Sequence, residues 1–513
     1  MKSMRAQSIL YALALLLVSG LGATAAVEYE GYTNPAGDKF PIAIYDNVAI
    51  NSSGYQPILS DAEQRAYFDT IRLAGFNVEL WGKGDIWRKI SINKWSPYLK
   101  SLGMNTIIST RGFSLTRSAT PYDANTPDSI LLQDNWDGLK TVISNYSQDP
   151  NVWGYWACDE PGMVNLHKPV YELNPYETAV IPTFNRIHRF RGDKVAYANF
   201  AAAAAPSVIG DFYTDNLKYP HPDVYVPNFE NFLDHMVDVL GLKFLTFDLY
   251  PVISNKIGQE PEWIIKNHYY YFMDLYSRYC RDRKIPVWLV MLSVEHSYDG
   301  PGEKNDWTYP EITEGLLRLQ AMNGLAFGMK GLVYWEYGAT GIKAPNSSYL
   351  YKSALYDINK KQKTPAWNTA RTVNNEVAQY GNILQHATYD RSRIAVKDSL
   401  LSGTTPKDSV PPFHGFEKFT GSFERVVGLT YAGMGVLMSH LTDDNYHYIA
   451  VVSQDHLKSQ HITVKFDPNV NFERVIIADF ANVNGFGQVE DSKKHQSSLI
   501  LSPGEMALFR YKK

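Results

Sequence analysis

From Phe40 onward the chain repeats one pattern: a short apolar or β-branched run, then a longer stretch with apolar residues every three or four positions. The runs are FPIAIYD (40–46), NVELW (77–81), NTIIST (105–110), VWGYWACDE (152–160), VAYANF (195–200), FLTFDLYP (244–251), VWLVMLSVE (287–295) and GLVYWEYG (331–338). Near-continuous hydrophobicity marks strands covered on both faces, as in a parallel sheet. The intervening period marks amphipathic helices. One of them, SDAEQRAYFDTIRLAG (60–75), carries signals at both ends. Ser60 stands three residues before Glu63, a capping box, and Gly75 closes the helix. Eight strands, each with a helical crossover before the next, predict an α/β fold, a (β/α)8 TIM barrel. An open doubly wound sheet is the alternative, but no Gly-rich phosphate loop follows the first strand.

Past the eighth strand the texture changes. TPAWNTARTVNNEVAQYGNILQHA (364–387) reads as a helix joining two units. Beyond it, VGLTYAGMGVLMSHL and YHYIAVVSQ flank the turn TDDN (442–445), and SLILSPGEMALFRY folds over Pro503-Gly504. Strands separated by turns, without helices, predict a small antiparallel β-sandwich. The expected division is a barrel over 27–362, a joining helix over 363–388 and a sandwich over 389–513.

The first 26 residues read as a signal peptide. Lys2 and Arg5 precede the apolar ILYALALLLV (9–18), and GATAA offers small residues for cleavage near Ala25 or Ala26. The apolar run is short for a membrane span, and no Cys follows it to take a lipid. The expected location is therefore secreted or periplasmic, with no membrane span.

Composition narrows the classes further. The 513 residues are 45% hydrophobic and 20% charged, enough for a large core and a second domain. A net charge of -4 leaves no basic excess for phosphates, so nucleic acid is not an expected partner. Aromatics reach 13%, with 35 Tyr and 11 Trp, which fill cores and also stack on the C–H faces of sugar rings. In particular, Trp263, Tyr270, Tyr271, Tyr276 and Tyr279 read as a packing stripe on a helix. The two cysteines, Cys158 on a strand and Cys280 in a helical pattern, read as buried free thiols. No His-x-x-x-His or Cys-x-x-Cys occurs, so no catalytic zinc and no cofactor are expected. Asp443-Asp444 reads as a turn. The absence of Gly-x-Ser-x-Gly argues against an esterase of the α/β-hydrolase type.

In a (β/α)8 barrel the strand C-termini build the active site. The last residues of the runs are Asp46; Glu79 and Trp81; Thr110 and Arg111; Asp159 and Glu160; Asn199; Asp248 and Tyr250; Glu295 and His296; Trp335, Glu336 and Tyr337. A ring of carboxylates with aromatic neighbours suits a site that binds neutral polyols and cleaves acetals. Glycoside hydrolysis requires one carboxylic acid to protonate the leaving oxygen and one carboxylate to attack or to activate water. Glu160 after strand four and Glu295 after strand seven are the expected pair.

Here the chain resembles the clan A (β/α)8-barrel glycoside hydrolases. Those carry an acid/base Glu after strand four, usually as Asn-Glu-Pro, and a nucleophilic Glu after strand seven. The resemblance implies a hydrolase acting on a poly- or oligosaccharide, with Glu160 as acid/base and Glu295 as nucleophile. Asp159, Asp46, Glu79, Trp81, Asn199, Asp248, Tyr250, His296, Trp335 and Glu336 are the expected sugar-binding residues, and Glu336 competes with Glu295 as second carboxylate. One departure matters: Asp159 stands where that pattern has Asn. The Asp-Glu pair is similar to the family 20 and family 123 N-acetylhexosaminidases, in which the Asp orients the substrate's own acetamido group as nucleophile. A non-catalytic glycan-binding barrel is the reading from another class.

Overall fold

The computed structural model describes residues 29–46, 59–81, 92–110, 133–161, 179–200, 222–253, 264–265, 269–298, 308–338, 349–351, 354–396, 416–477, 488–492 and 495–513. The expected signal peptide, Arg111 and Trp263 lie outside the described residues.

Eight parallel strands close a barrel: β1 (Ile42–Asp46), β2 (Val78–Trp81), β3 (Asn105–Ser109), β4 (Val152–Asp159), β5 (Val195–Phe200), β6 (Leu245–Asp248), β7 (Val287–Leu292) and β8 (Leu332–Trp335). Each pairs with the next in sequence, and β8 pairs back on β1. Their helical partners are α1 (Asp61–Leu73), α2 (Ile92–Ser101), α3 (Gln133–Tyr146), α4 (Val180–Phe190), α5 (Pro222–Leu240), α6 (Tyr269–Arg283), α7 (Glu314–Ala326) and α8 (Pro365–Leu384). The expected capping box forms at α1, where the Ser60 side chain accepts from the Glu63 amide and Glu63 bonds back. Gly75 follows at φ 94°, a conformation that glycine adopts without a Cβ penalty.

Strand alternation divides the apolar residues into two layers. Tyr45, Leu80, Ile107, Trp153, Trp156, Tyr197, Trp288, Val290 and Val333 fill the barrel interior. Trp153 stacks on Trp288 with centroids 5.9 Å apart, so side chains pack the interior at this level. Ile44, Ile108, Tyr155, Ala198, Phe247 and Met291 face the helices instead. The aromatic stripe of α6 belongs to this outer layer, with Tyr276 stacked on Phe247 at 3.9 Å. Cys158 and Cys280 are free and buried, as expected. Helix α8 lies against the β8–β1 side. Its Asn374 accepts from the Tyr334 hydroxyl at 2.6 Å, and its Asn382 accepts from the Phe40 amide at 2.8 Å. The helix read from sequence as a joint thus stands where an eighth barrel helix stands.

The C-terminal strands are β9 (Thr388–Val396), β10 (Val426–Tyr431), β11 (Gly435–Thr442), β12 (Tyr446–Ser453), β13 (Gln460–Phe466), β14 (Phe472–Ile476), β15 (Gln488–Ser492), β16 (Gln496–Leu501) and β17 (Met506–Lys512). They form a sheet in the order β9-β11-β12-β17-β14-β15 and a second in the order β10-β13-β16, with all pairings antiparallel. Val436, Met438, Ile449, Val451 and Phe509 of the large sheet pack on Val426, Ile462, Val464 and Leu501 of the small one. The alternate residues Leu437, Leu441, Ala450, Val452 and Leu508 join the core that continues into the barrel helices. Burial on both faces explains why β11 and β12 read as continuous apolar runs.

Polar bonds cross the same interface. Arg318 of α7 reaches Glu376 of α8 and the Pro503 carbonyl. Tyr270 donates to Gln454 at 2.6 Å, and Gln454 donates to Asn323 at 3.0 Å. Among the described residues no helix is long and apolar enough to cross a membrane.

Candidate active site

The β4 strand contains a register shift that strict alternation would not give. Trp156 pairs with Tyr197, but Cys158 pairs with Ala198 and Asp159 with Asn199, so Ala157 is an extra residue. Both Ala157 and Cys158 face the helix layer. Without this bulge Asp159 would turn outward, since a one-residue slip exchanges the faces. With it, Asp159, Asn199 and Thr246 become neighbours on three adjacent strands. The Asn199 amide donates to Asp159 Oδ1 at 3.1 Å, and the Thr246 hydroxyl donates to Asn199 Oδ1 at 2.7 Å.

Glu160 follows directly, exposed, at φ 49°, with its amide donating to the Asn199 carbonyl at 2.7 Å. A left-handed conformation is costly for a residue with a Cβ and clusters at functional sites. Asp248, half-buried, lies two residues beyond Thr246 and shares its inward face.

Beyond β7, Ser293 staples two strand ends together. Its amide donates to the Trp335 carbonyl at 2.8 Å and its hydroxyl to the Glu336 carbonyl at 3.1 Å. Glu295 lies two residues further on, half-buried, and short strands at His296–Tyr298, Thr308–Tyr309 and Tyr349–Tyr351 form a small sheet there. His296 Nδ1 lies 3.0 Å from the Val294 carbonyl, which fixes the proton on that nitrogen. The Tyr309 ring lies 4.6 Å from His296 and edge-on to Tyr250 at 5.1 Å. Trp335 packs on Tyr45 with centroids 4.2 Å apart. Beneath these residues a cavity of about 20 Å³, lined by Tyr45, Trp156, Tyr197, Asn199, Thr246 and Trp335 among others, has room for a water molecule.

Three expected sugar-binding residues lie elsewhere. Asp46 and Glu79 are 0% exposed and Trp81 is 1% exposed. The alternation that turns Tyr45 and Leu80 inward turns these three toward α1. Trp81 stacks on Phe68 of α1, and Tyr67 of α1 donates to Asp46 Oδ1 at 2.6 Å. All three are buried against the helix layer, and Asp46 and Glu79 form an acid pair under the barrel rim. Burial, opposed by the Tyr67 hydrogen bond, pushes the Asp46 carboxyl up to about 7. Burial and the neighbouring Asp46 push Glu79 well above the usual carboxylate range. The pair is therefore protonated in part at neutral pH, which is how two adjacent buried acids avoid mutual repulsion. Glu336, 5% exposed, adds its charge to the field at Asp46.

Thr110 and Tyr337 are structural: Thr110 bonds the Trp156 carbonyl, and Tyr337 meets Thr70 and Trp367. Sequence reasoning missed Thr246 because it sits inside a strand. Its phase, two residues before Asp248, was the available signal.

Away from the mouth, Asp390, Glu424 and His440 converge in the sandwich. Arg391 already pairs with both acids and His440 bonds His447, so the cluster is an ion-pair network.

The fold matches solved structures of glycoside hydrolases. A GH42 beta-galactosidase from G. stearothermophilus is similar over 96% of this chain and 100% of that chain, with TM-score 0.55 and 8% sequence identity. A family 39 glycoside hydrolase from the gut symbiont Bacteroides cellulosilyticus WH2 covers 93% of this chain and 82% of its own, with TM-score 0.43 and 11% identity. Xylanase 10B from Thermotoga maritima covers 66% of this chain and 95% of its own, with TM-score 0.37 and 14% identity. No protein-family model and no curated protein sequence matches this chain. The beta-galactosidase likeness is one of fold, and it bears out the barrel expected from the strand order.

Proposed function

We propose that the protein is an exported glycoside hydrolase that cleaves a poly- or oligosaccharide with two carboxylates, Glu160 as acid/base and Glu295 as nucleophile. The observation that supports this reading is that two acids stand accessible at the ends of two different barrel strands. Strands β5 and β6 lie between β4 and β7 on one side of the closed barrel, and four strands lie between them on the other. Glu160 is exposed and Glu295 half-buried. Aromatic Trp335 and Tyr250 lie at neighbouring strand ends.

In this mechanism Glu160 gives its proton to the glycosidic oxygen as Glu295 attacks the anomeric carbon and the C–O bond breaks. Water then adds to that carbon, with Glu160 taking its proton and Glu295 leaving as carboxylate. Retention requires the two carboxyl groups about 5–5.5 Å apart in the substrate complex, against roughly 6.5–9.5 Å for inversion.

One observation favours a second reading. Asp159 is held by Asn199 beside Glu160, as an acid that grips a substrate N–H would be. In that substrate-assisted mechanism an acetamido oxygen attacks, and Glu295 only binds. A panel of aryl glycosides, with and without a 2-acetamido group, separates the readings. Turnover without that group, lost in Glu160→Gln for poor leaving groups, supports two carboxylates. Turnover confined to 2-acetamido substrates supports the second. Glycan binding with no turnover would refute both and leave a binding protein. Export is tested by the N-terminus of the protein recovered outside the cytoplasm, which should begin near Ala26 or Val27.

A further inference from the structure

Asp159, Asn199 and Thr246 form a hydrogen-bonded row whose direction can be worked out from one end. A carboxylate accepts only, so Asn199 must turn its NH₂ to Asp159. The amide oxygen then faces Thr246, and the Thr246 hydroxyl must donate. Both intermediate groups are sequestered, Asn199 at 5% and Thr246 at 2% exposure, on the wall of the small cavity under the barrel mouth. A buried amide with both ends committed cannot flip without facing its oxygen to the carboxylate.

We infer that Thr246 is a positioning residue, acting through Asn199 to hold Asp159 as a fixed acceptor for a hydroxyl or N–H of the sugar next to Glu160. The inference rests on the glycosidase reading of the mouth. It assigns a role to a strand residue that touches no sugar itself. Its physical basis is the cost of a buried acceptor without a donor, of the order of one hydrogen bond and hence about a tenfold effect on rate.

Thr246→Val removes the hydroxyl and keeps the shape, whereas Thr246→Ser keeps the hydroxyl. On the best aryl glycoside, Thr246→Val should lower kcat/KM about tenfold, and Thr246→Ser should stay within about twofold of the wild type. Because the effect passes through Asn199, Thr246→Val should cost nothing more in an Asn199→Ala background. A purely structural role would lower the melting temperature in both backgrounds instead. The Asn199 side-chain amide gives a readout free of activity: its NH₂ signals should exchange faster with water in Thr246→Val and not in Thr246→Ser. Full activity with unchanged amide exchange in Thr246→Val, or an equal further loss in the Asn199→Ala background, would overturn the inference. Should the wild type turn over no glycoside, the functional reading fails, and the amide exchange alone still decides whether the row is held by Thr246.

Discussion

Replacing Glu79 with Gln perturbs the acid pair under the barrel rim and gives a measurable change in the pH dependence of stability. Asp46 is fully buried, and its carboxyl is raised from 3.8 to about 7. A carboxyl raised on folding keeps its proton in the native state while the unfolded chain releases it. The stabilisation is complete below pH 3.8 and is lost as pH rises to about 7. One proton corresponds to about 1.4 kcal/mol per pH unit, so this window carries about 4 kcal/mol.

Glu79→Gln removes the competing acid and supplies an N–H that can bond an ionised Asp46 beside the Tyr67 hydroxyl. The variant should therefore be less dependent on pH between about 4 and 7, and more stable than the wild type at pH 8. Urea denaturation followed by tryptophan fluorescence at several pH values measures this. The difference between the two proteins cancels the contribution of acids such as Glu63, which Lys361 and the Ser60 cap hold down to about 2 in both. Parallel stability profiles from pH 4 to 8 would refute the shared-proton account.

Three further outcomes follow from the interface between barrel and sandwich. Arg318→Ala should cost about 3–5 kcal/mol, because the side chains of Arg318 and Glu376 are only 6% and 14% exposed and Glu376 would lose its partner. Denaturant midpoints check it. Gly315→Ala would drive a Cβ into the His456 carbonyl, so a loss of roughly 1–3 kcal/mol is expected and read as a lower melting temperature. A truncation ending near Gln385 should lose thermal stability by exposing the helix faces that cover Leu437, Val452 and Leu508, while turnover per folded molecule persists. A stable truncation without activity would put part of the site on the sandwich.

Much of the architecture was legible because each barrel strand is buried on both faces and therefore reads as an apolar run. The cap at Ser60–Glu63 was equally plain, being a local bond between residues three apart. What the pattern could not convey was phase. Asp46 and Trp81 end their strands as Asp159 does, with Glu79 two residues before Trp81, yet all three face α1, because Tyr45 and Leu80 take the inward positions. Asp159 faces the mouth only through the bulge at Ala157, and a bulge has no signature in an all-apolar run. Thr246 was hidden for a related reason: its partners are remote in sequence and meet only through cross-strand register.

The most direct test of the central claim is a covalent trap at the second carboxylate. A 2-deoxy-2-fluoro glycoside with an activated leaving group, matched to the best substrate, slows the second step and leaves the sugar on the nucleophile. Mass spectrometry of the digested protein should then find one fluorosugar per chain on the peptide containing Glu295, and none after Glu295→Ala. Label on the peptide containing Glu336 would contradict the assignment. Full turnover of 2-acetamido substrates with no label anywhere would contradict the two-carboxylate mechanism itself.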